Sequence, residues 1–265
     1  MCTALLSVEP GRPVLLVGVR DEIIDRAWRP PGQHWPQYPG LTGGLDLQAG
    51  GTWLAVAPGE RRAACVLNGR GHPAPEATRR SRGSLPLAAA AGQKLDRAIL
   101  GDFDPFHLLT VEAGHGEPAS ALSQIWDGNT LTEASLTEPS LHFAVNSGWA
   151  ASLGTVAADD TGTGNGRAHE LARIGYFLPR FLSASRPDPR PGQPVAEAWG
   201  EWFPLLNGAG IDPGDDRALL PCRDLGGGQI WGTTSVSLVA LSPDFVRYDF
   251  TGSPGDPGAW ISPLT

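Results

Sequence analysis

The sequence predicts an α+β domain with mixed, largely antiparallel sheets and with helices packed outside them. Two observations lead to this prediction. Short apolar runs separated by turns rich in proline and glycine occur through much of the chain, and such runs are typical of paired strands. Stretches with helical spacing of apolar residues are fewer, and two of them follow one another before a final strand pair. We predict that the 265 residues form one domain, 1–265.

The first predicted element is a hairpin at the N-terminus. An apolar run, Thr3–Val8, leads into a turn at residues 9–13 that contains two prolines and a glycine. A second run, residues 14–19, follows and ends in Arg20-Asp21-Glu22. Because the two runs have similar lengths, the hairpin should return Arg20 and Asp21 to the side of Cys2.

The remaining elements are predicted from the same two patterns. The predicted strands are residues 52–57, 62–67, 106–112, 121–126, 130–135, 141–145, 230–241 and 245–250, and the predicted helices are residues 84–100, 167–182 and 196–206. The segments rich in glycine, proline or polar residues are predicted as loops: residues 25–50, 69–81, 158–167, 183–194 and 207–228. Pro179 is expected to kink or end the helix that contains it.

Cys2 is the candidate nucleophile. Initiator methionine is normally removed when the next residue is small, which would leave Cys2 with both a thiol and a free α-amine. A thiolate is a strong nucleophile, and an α-amine with an ordinary pKa of about 7.7–8.0 can act as its base near neutral pH. The alternative is that Cys2 is a small buried residue that opens a strand.

The chain resembles a known family in several short motifs. It is similar to the NRDE family, also called the transport-and-Golgi-organisation type, whose signature Asn-Arg-Asp-Glu is here Val19-Arg20-Asp21-Glu22. Further matches, in chain order, are Gly50-Gly51-Thr52-Trp53-Leu54, Leu67-Asn68, Ser81-Arg82-Gly83 and, more weakly, Val145-Asn146-Ser147. Together the motifs cover roughly the first 150 residues. Val19 stands where the family has asparagine, and this departure concerns a supporting hydrogen bond and not the nucleophile.

The resemblance implies both a fold and an activity. The family is similar to N-terminal-nucleophile hydrolases of the penicillin V acylase and bile salt hydrolase kind, which share a four-layer αββα sandwich and cleave amides with an N-terminal cysteine. For this chain it implies hydrolysis or transfer of an acyl group from a carbon–nitrogen bond other than a protein peptide bond. The alternative is a non-enzymatic carrier of haem, lipid or acyl-CoA on the same fold.

The resemblance also assigns roles to particular residues. Arg20 would lower the pKa of the Cys2 thiol, and Asp21 would orient the α-amine. Asn68, together with Asn146, would stabilise the oxyanion of an acyl-transfer reaction. The candidate substrate-binding residues are Arg82 and Trp53. The alternatives are an ordinary turn ion pair for Arg20 and Asp21, a turn asparagine for Asn68, and a structural arginine for Arg82.

Composition and motif spacing exclude several other classes of function. A net charge of −8 argues against nucleic acid or an anionic membrane as the main partner. The three cysteines show no CxxC spacing, which indicates a reducing compartment. Neither a long apolar stretch nor a signal-peptide pattern occurs, so no membrane span is expected and the cytoplasm is the expected location. The six histidines lack metal-ligand spacing, so neither a metal nor a cofactor is expected, and the oligomeric state is left open.

Overall fold

The protein is described by a computed structural model that covers residues 2–114, 119–136, 138, 140–151, 155–156 and 165–264. The strands are β1 Thr3–Val8, β2 Val14–Ile23, β3 Trp28–Gly32, β4 Thr42–Asp46, β5 Leu54–Ala57, β6 Arg62–Asn68, β7 Phe106–Glu112, β8 Ser120–Trp126, β9 Leu131–Ser135, β10 Ser140–Val145, β11 Gly148–Ala151, β12 Thr155–Val156, β13 Cys222–Asp224, β14 Ile230–Leu241 and β15 Val246–Thr251. The helices are α1 Ser84–Ala90, α2 Asn165–Ser183, α3 Val195–Trp199 and α4 Trp202–Leu206, with a 3-10 helix at Arg97–Asp102.

The strands form two antiparallel sheets. The first sheet has the order β12-β11-β10-β1-β2-β14-β13, and β15 also pairs with β14. The second sheet has the order β3-β4-β5-β6-β7-β8-β9, so all of its neighbours are consecutive in the chain. The N-terminal hairpin therefore lies in the middle of the first sheet, where both of its faces are covered.

Three apolar clusters fix the order of the layers. Between the two sheets, Leu6 and Leu16 of the first sheet pack in one cluster with Val56 and Leu109 of the second. On the outer face of the first sheet, Leu5, Leu15 and Val17 pack with α2, α3 and α4. On the outer face of the second sheet, residues of β5, β6 and β7 pack with α1. This arrangement confirms the prediction of a layered α+β domain, with helices outside two stacked sheets.

The segment 25–50 was predicted as loop, and this is wrong because it contains β3 and β4. Strand β3 lies at the edge of its sheet, where its prolines need not donate a ladder hydrogen bond. In β4, a Cβ atom at Gly43 would lie 2.5 Å from the carbonyl oxygen of Leu54, and one at Gly44 would lie 2.3 Å from the Trp53 ring. The glycines that indicated a loop are therefore required by close packing inside a strand.

Two predicted helices are shorter than expected because glycines interrupt them. The helix predicted at 84–100 ends at Ala90, close to Gly92, whose φ is +77°, and the chain resumes as the 3-10 helix at Arg97–Asp102. The helix predicted at 196–206 is divided into α3 and α4 at Gly200, whose φ is +45°. A positive φ is incompatible with a continuous right-handed helix, so each glycine ends the preceding turn.

The other predicted elements are largely confirmed, with small differences. Helix α2 continues through Pro179, so this proline does not end it. Strand β13 lies within the segment 207–228 that was predicted as loop, and β11 and β12 follow β10 without having been predicted. Most of the predicted loop at 158–167 lies outside the described residues. No helix in the described ranges combines the length and the hydropathy needed to cross a membrane.

The packing between the sheets can be tested with Leu16→Ala. Leu16 is fully buried between the sheets, so the cavity should lower the free energy of unfolding by about 2–5 kcal/mol in a urea titration. Leu182→Ala, on an exposed part of α2, is the matched control and should cost less than about 1 kcal/mol. Equal losses for the two variants would contradict the proposed layering.

Candidate active site

The N-terminal hairpin places Cys2 beside Arg20. Strands β1 and β2 pair antiparallel with Thr3 opposite Val19, so the next position toward the N-terminus brings Cys2 to the level of Arg20. The sulfur of Cys2 lies 3.8 Å from the backbone carbonyl oxygen of Asp21 and donates to it. The predicted return of Arg20 and Asp21 to the side of Cys2 is confirmed.

The backbone nitrogen of Cys2 is held by Asn146, which directly follows β10. Its N–H donates to the side-chain oxygen Oδ1 of Asn146 at 2.9 Å. This contact exists because β10 pairs with β1 on the side opposite β2, with Val145 across from Thr3. In the described geometry Asn146 therefore positions the nitrogen of Cys2, whereas the sequence predicted a role at the oxyanion.

Burial dominates the acidity of the Cys2 thiol. It raises the pKa of the thiol because a thiolate loses its solvation in the interior, and the nearby Asp21 carboxylate raises it further. The Arg20 guanidinium lowers this pKa, in the direction predicted from the sequence, but with a smaller effect than burial. The thiol therefore rests in its protonated form and requires a base before it can attack.

Arg20 is held in place on three sides. Its Nη1 donates to Oγ1 of Thr234 at 2.7 Å, and its guanidinium lies 4.5 Å from the centre of the Trp53 ring. The carboxylates of Glu22 and Asp46 each lie 3.8 Å from its Nη2. Trp53, a candidate substrate-binding residue, thus has a cation against one part of its ring.

Asp21 is buried and receives donors from two distant parts of the chain. Oγ1 of Thr233 donates to its Oδ1 at 2.6 Å, and Nη1 of Arg173 donates to its Oδ2 at 3.1 Å. Burial raises the pKa of Asp21 above its ordinary value, and the charge of Arg173 and the Thr233 hydrogen bond offset this only in part. A buried carboxylate of this kind needs a paired cation to remain ionised.

A register shift in β14 brings Thr233 and Thr234 to the site. Thr233 lies opposite Asp21 and Ser235 lies opposite Arg20, so Thr234 is an extra residue between two paired positions. This bulge lets adjacent hydroxyl groups reach both neighbouring side chains of β2. Neither threonine was predicted as a site residue, because a strand pattern alone does not reveal a bulge.

A cleft of 430 Å³ opens beside Cys2. It is lined by three of the predicted site residues besides Cys2, Arg20 and Asp21: Trp53, Asn68 and Arg82. Asn68 is exposed at the end of β6, and the structure describes no hydrogen bond from its side chain. It is therefore free to meet a bound molecule.

Arg82 reaches the cleft from a tightly anchored turn. Its Nη1 donates to the carbonyl oxygen of Pro105 at 2.9 Å, and no ion pair of this guanidinium occurs among the described residues. A Cβ atom at Gly51 would lie 2.4 Å from the backbone of Gly83, so the chain on either side of the cleft is in direct backbone contact. The contact between Gly51 and Gly83 therefore fixes the position of Arg82.

His107 supports Asn146 from the second sheet. Its Nε2 lies 3.0 Å from the carbonyl oxygen of Asn146, which can only accept, so this ring nitrogen carries the hydrogen. Burial lowers the pKa of His107, while the hydrogen bond to Asn146 and the charge of Glu170 raise it. His107 was not predicted as a site residue, since a single histidine in a strand has no distinguishing pattern.

The burial of His107 predicts a specific pH dependence of stability. Its pKa in the folded state is below the unfolded value of about 6.5, so between these values the unfolded state binds more protons. The free energy of unfolding should therefore fall as pH drops below about 6.5, by at most about 1.4 kcal/mol per pH unit from this group.

The test is urea unfolding of His107→Gln between pH 7 and pH 5. Glutamine keeps a donor for the Asn146 carbonyl but does not titrate, so the variant should lose stability less steeply than the unmodified protein. Substitution of the exposed His72 by glutamine is the control and should leave the slope as it is. An unchanged slope in His107→Gln would contradict the argument.

Comparison with known proteins identifies a family for the N-terminal part of the chain. A protein-family model described as Transport and Golgi organisation 2 matches residues 1–151. A search of curated proteins gave no significant match. Among the residues that the structure describes, no group of three or more histidine, cysteine, aspartate or glutamate side chains is arranged to hold a metal ion.

Proposed function

The chain belongs to the Transport and Golgi organisation 2 family, and we propose that it is an N-terminal-cysteine hydrolase or acyltransferase. The observation that carries this proposal is the arrangement of Cys2, whose nitrogen and sulfur are both held at the mouth of a preformed cleft. The layers of helix, sheet, sheet and helix support an N-terminal-nucleophile hydrolase fold of the αββα type. The proposed substrate is a small amide, and the bond cleaved is a carbon–nitrogen bond other than a protein peptide bond.

The proposed reaction begins once Met1 is removed. The free α-amine of Cys2 takes the proton of its own thiol, and the thiolate attacks the carbonyl carbon of the amide. The tetrahedral intermediate collapses with cleavage of the carbon–nitrogen bond, and the α-ammonium returns a proton to the leaving amine. Water then hydrolyses the thioester, or another nucleophile accepts the acyl group. A protonated resting thiol is compatible with this scheme because the base is part of the same residue.

The remaining candidate residues have proposed roles in the same cleft. Asn68 stabilises the oxyanion, a contribution worth about 3–4 kcal/mol when a donor of this kind is lost. Asn146 holds the α-amine through its Oδ1, which accepts a hydrogen from the nitrogen and fixes its position. Arg82 and Trp53 contact the substrate. Arg82 suits a polar or anionic part of the substrate, since the carboxylate of the nearby Asp104 pairs with Arg79.

The proposed nucleophile can be tested by intact mass before and after treatment with chloroacetamide. Cys222 is exposed and would react as well, so the experiment uses a Cys222→Ser background. Burial raises the pKa of Cys65 to about 12, so this thiol should remain unlabelled. We expect loss of Met1 and a single label that Cys2→Ala removes. Retention of Met1, or labelling that Cys2→Ala does not change, would rule out the proposed mechanism.

A second candidate function, a carrier of haem, lipid or acyl-CoA, is favoured by a separate groove. This groove has a volume of 670 Å³ and lies on the outer face of the second sheet, against α1 and the 3-10 helix. Cys2 is not part of its wall, and Leu85, Leu95, Ile99 and Leu122 supply apolar lining. Charged pairs such as Arg62 with Glu112 also line it, so it suits an amphiphilic molecule rather than a purely apolar one.

The carrier hypothesis predicts that binding depends on this groove and not on Cys2. Leu122→Asp adds a charge to its wall and should weaken binding of haem or palmitoyl-CoA at least tenfold in a fluorescence titration. Leu47→Asp, which changes an equally exposed leucine outside the groove, is the control, and Cys2→Ala should bind normally. Binding that Leu122→Asp leaves unchanged would contradict the carrier hypothesis.

A further inference from the structure

Arg173 of α2 connects the site to the part of the chain beyond residue 151. Its side chain is buried, and its Nε donates to the carbonyl oxygen of Ala218 at 2.9 Å. Its Nη1 donates to Oγ1 of Thr3 at 2.8 Å and to Oδ2 of Asp21 at 3.1 Å. One guanidinium nitrogen therefore joins the residue next to the proposed nucleophile to the buried carboxylate beside it.

We infer that Arg173 is a positioning residue of the proposed reaction, which neutralises the Asp21 carboxylate so that the α-amine of Cys2 can remain the free base. This inference rests on the proposed function. Arg173 does not line the cleft beside Cys2, and the described contacts of its side chain do not include the Cys2 sulfur. It therefore acts through Asp21 and Thr3.

A buried carboxylate such as that of Asp21 needs a counter-ion. Two cations can serve Asp21 in the mature chain, namely the Arg173 guanidinium and the protonated α-amine of Cys2. While Arg173 is present, the carboxylate is already paired and the amine can lose its proton near neutral pH. Without Arg173 the amine becomes the available counter-ion and stays protonated, and a protonated amine cannot take the proton of the thiol.

The other groups around Asp21 do not replace Arg173. Beside β1, the thiol of Cys2 is close enough for its charge to interact with that of Asp21, and from β14 Asp21 faces the uncharged hydroxyl of Thr233. Arg20, on its own strand, is occupied by Thr234, Trp53 and nearby carboxylates. On α2, the carboxylate of Glu170 is paired with Arg70 at 3.2 Å. In the described surroundings, Arg173 is therefore the cation in direct contact with the Asp21 carboxylate.

The test is the rate of Cys2 alkylation by chloroacetamide as a function of pH, in processed protein with the Cys222→Ser background. In Arg173→Met the alkylation rate should begin to rise at a pH about one unit or more higher than in the parent protein. At pH 7 the reaction should therefore be at least tenfold slower. Arg173→Lys keeps the charge and should recover most of the rate. Arg180→Met, which removes an exposed arginine of the same helix, should match the parent protein.

A double variant separates the charge effect from simple loss of structure. In Asp21→Asn/Arg173→Met the carboxylate is absent, so the amine has no reason to stay protonated and the pH at which the rate rises should return toward that of the parent. If Arg173→Met does not fold, as judged by circular dichroism, Arg173→Lys and the double variant give the comparison.

The outcomes also distinguish this inference from the proposed function. A parent protein whose Cys2 is unprocessed or unreactive overturns the proposed function itself. A reactive parent whose profile is unchanged in Arg173→Met overturns only the role of Arg173. The same holds if the double variant is shifted as far as the single variant, since the effect would then not pass through Asp21.

Discussion

The rest of the site depends on one constraint, the burial of the Asp21 carboxylate at the end of β2. A charge in this position has to be paired, and the pairing partner comes from α2, 152 residues away. Helix α2 can reach Asp21 because its apolar face packs on the outer face of the first sheet. The fold of the C-terminal part of the chain is therefore coupled to the electrostatics around Cys2.

The second constraint is the partial burial of Cys2 itself. A thiol that rests protonated is a poor nucleophile, so the site needs a base, and the contact between Asn146 and the Cys2 nitrogen supplies a way to orient one. His107 fixes Asn146 from the second sheet. Both sheets and one helix thus contribute to the position of a single residue, and their packing order has to be correct before the chemistry proposed for Cys2 is possible.

The sequence predicts the parts of the site that depend on local pattern. The hairpin of β1 and β2 follows from two apolar runs of similar length, and it alone brings Arg20 and Asp21 to Cys2. Arg173, Thr233 and His107 could not be predicted, because their roles arise from contacts between elements distant in the chain. The same limit explains the errors in the fold, since Gly43 and Gly44 serve close packing within a strand, while Gly92 and Gly200 interrupt helical patterns.

The site is built from two parts of the chain, and the family match covers only one of them. The family match covers residues 1–151, which contain Cys2, Arg20, Asp21, Asn68 and Asn146. Three of the groups that hold Arg20 and Asp21, namely Arg173, Thr233 and Thr234, lie beyond it. A chain could therefore keep every N-terminal motif and still lose the charge balance at Asp21. For this reason the presence of the motifs is a weaker argument for the proposed chemistry than the contacts that surround them.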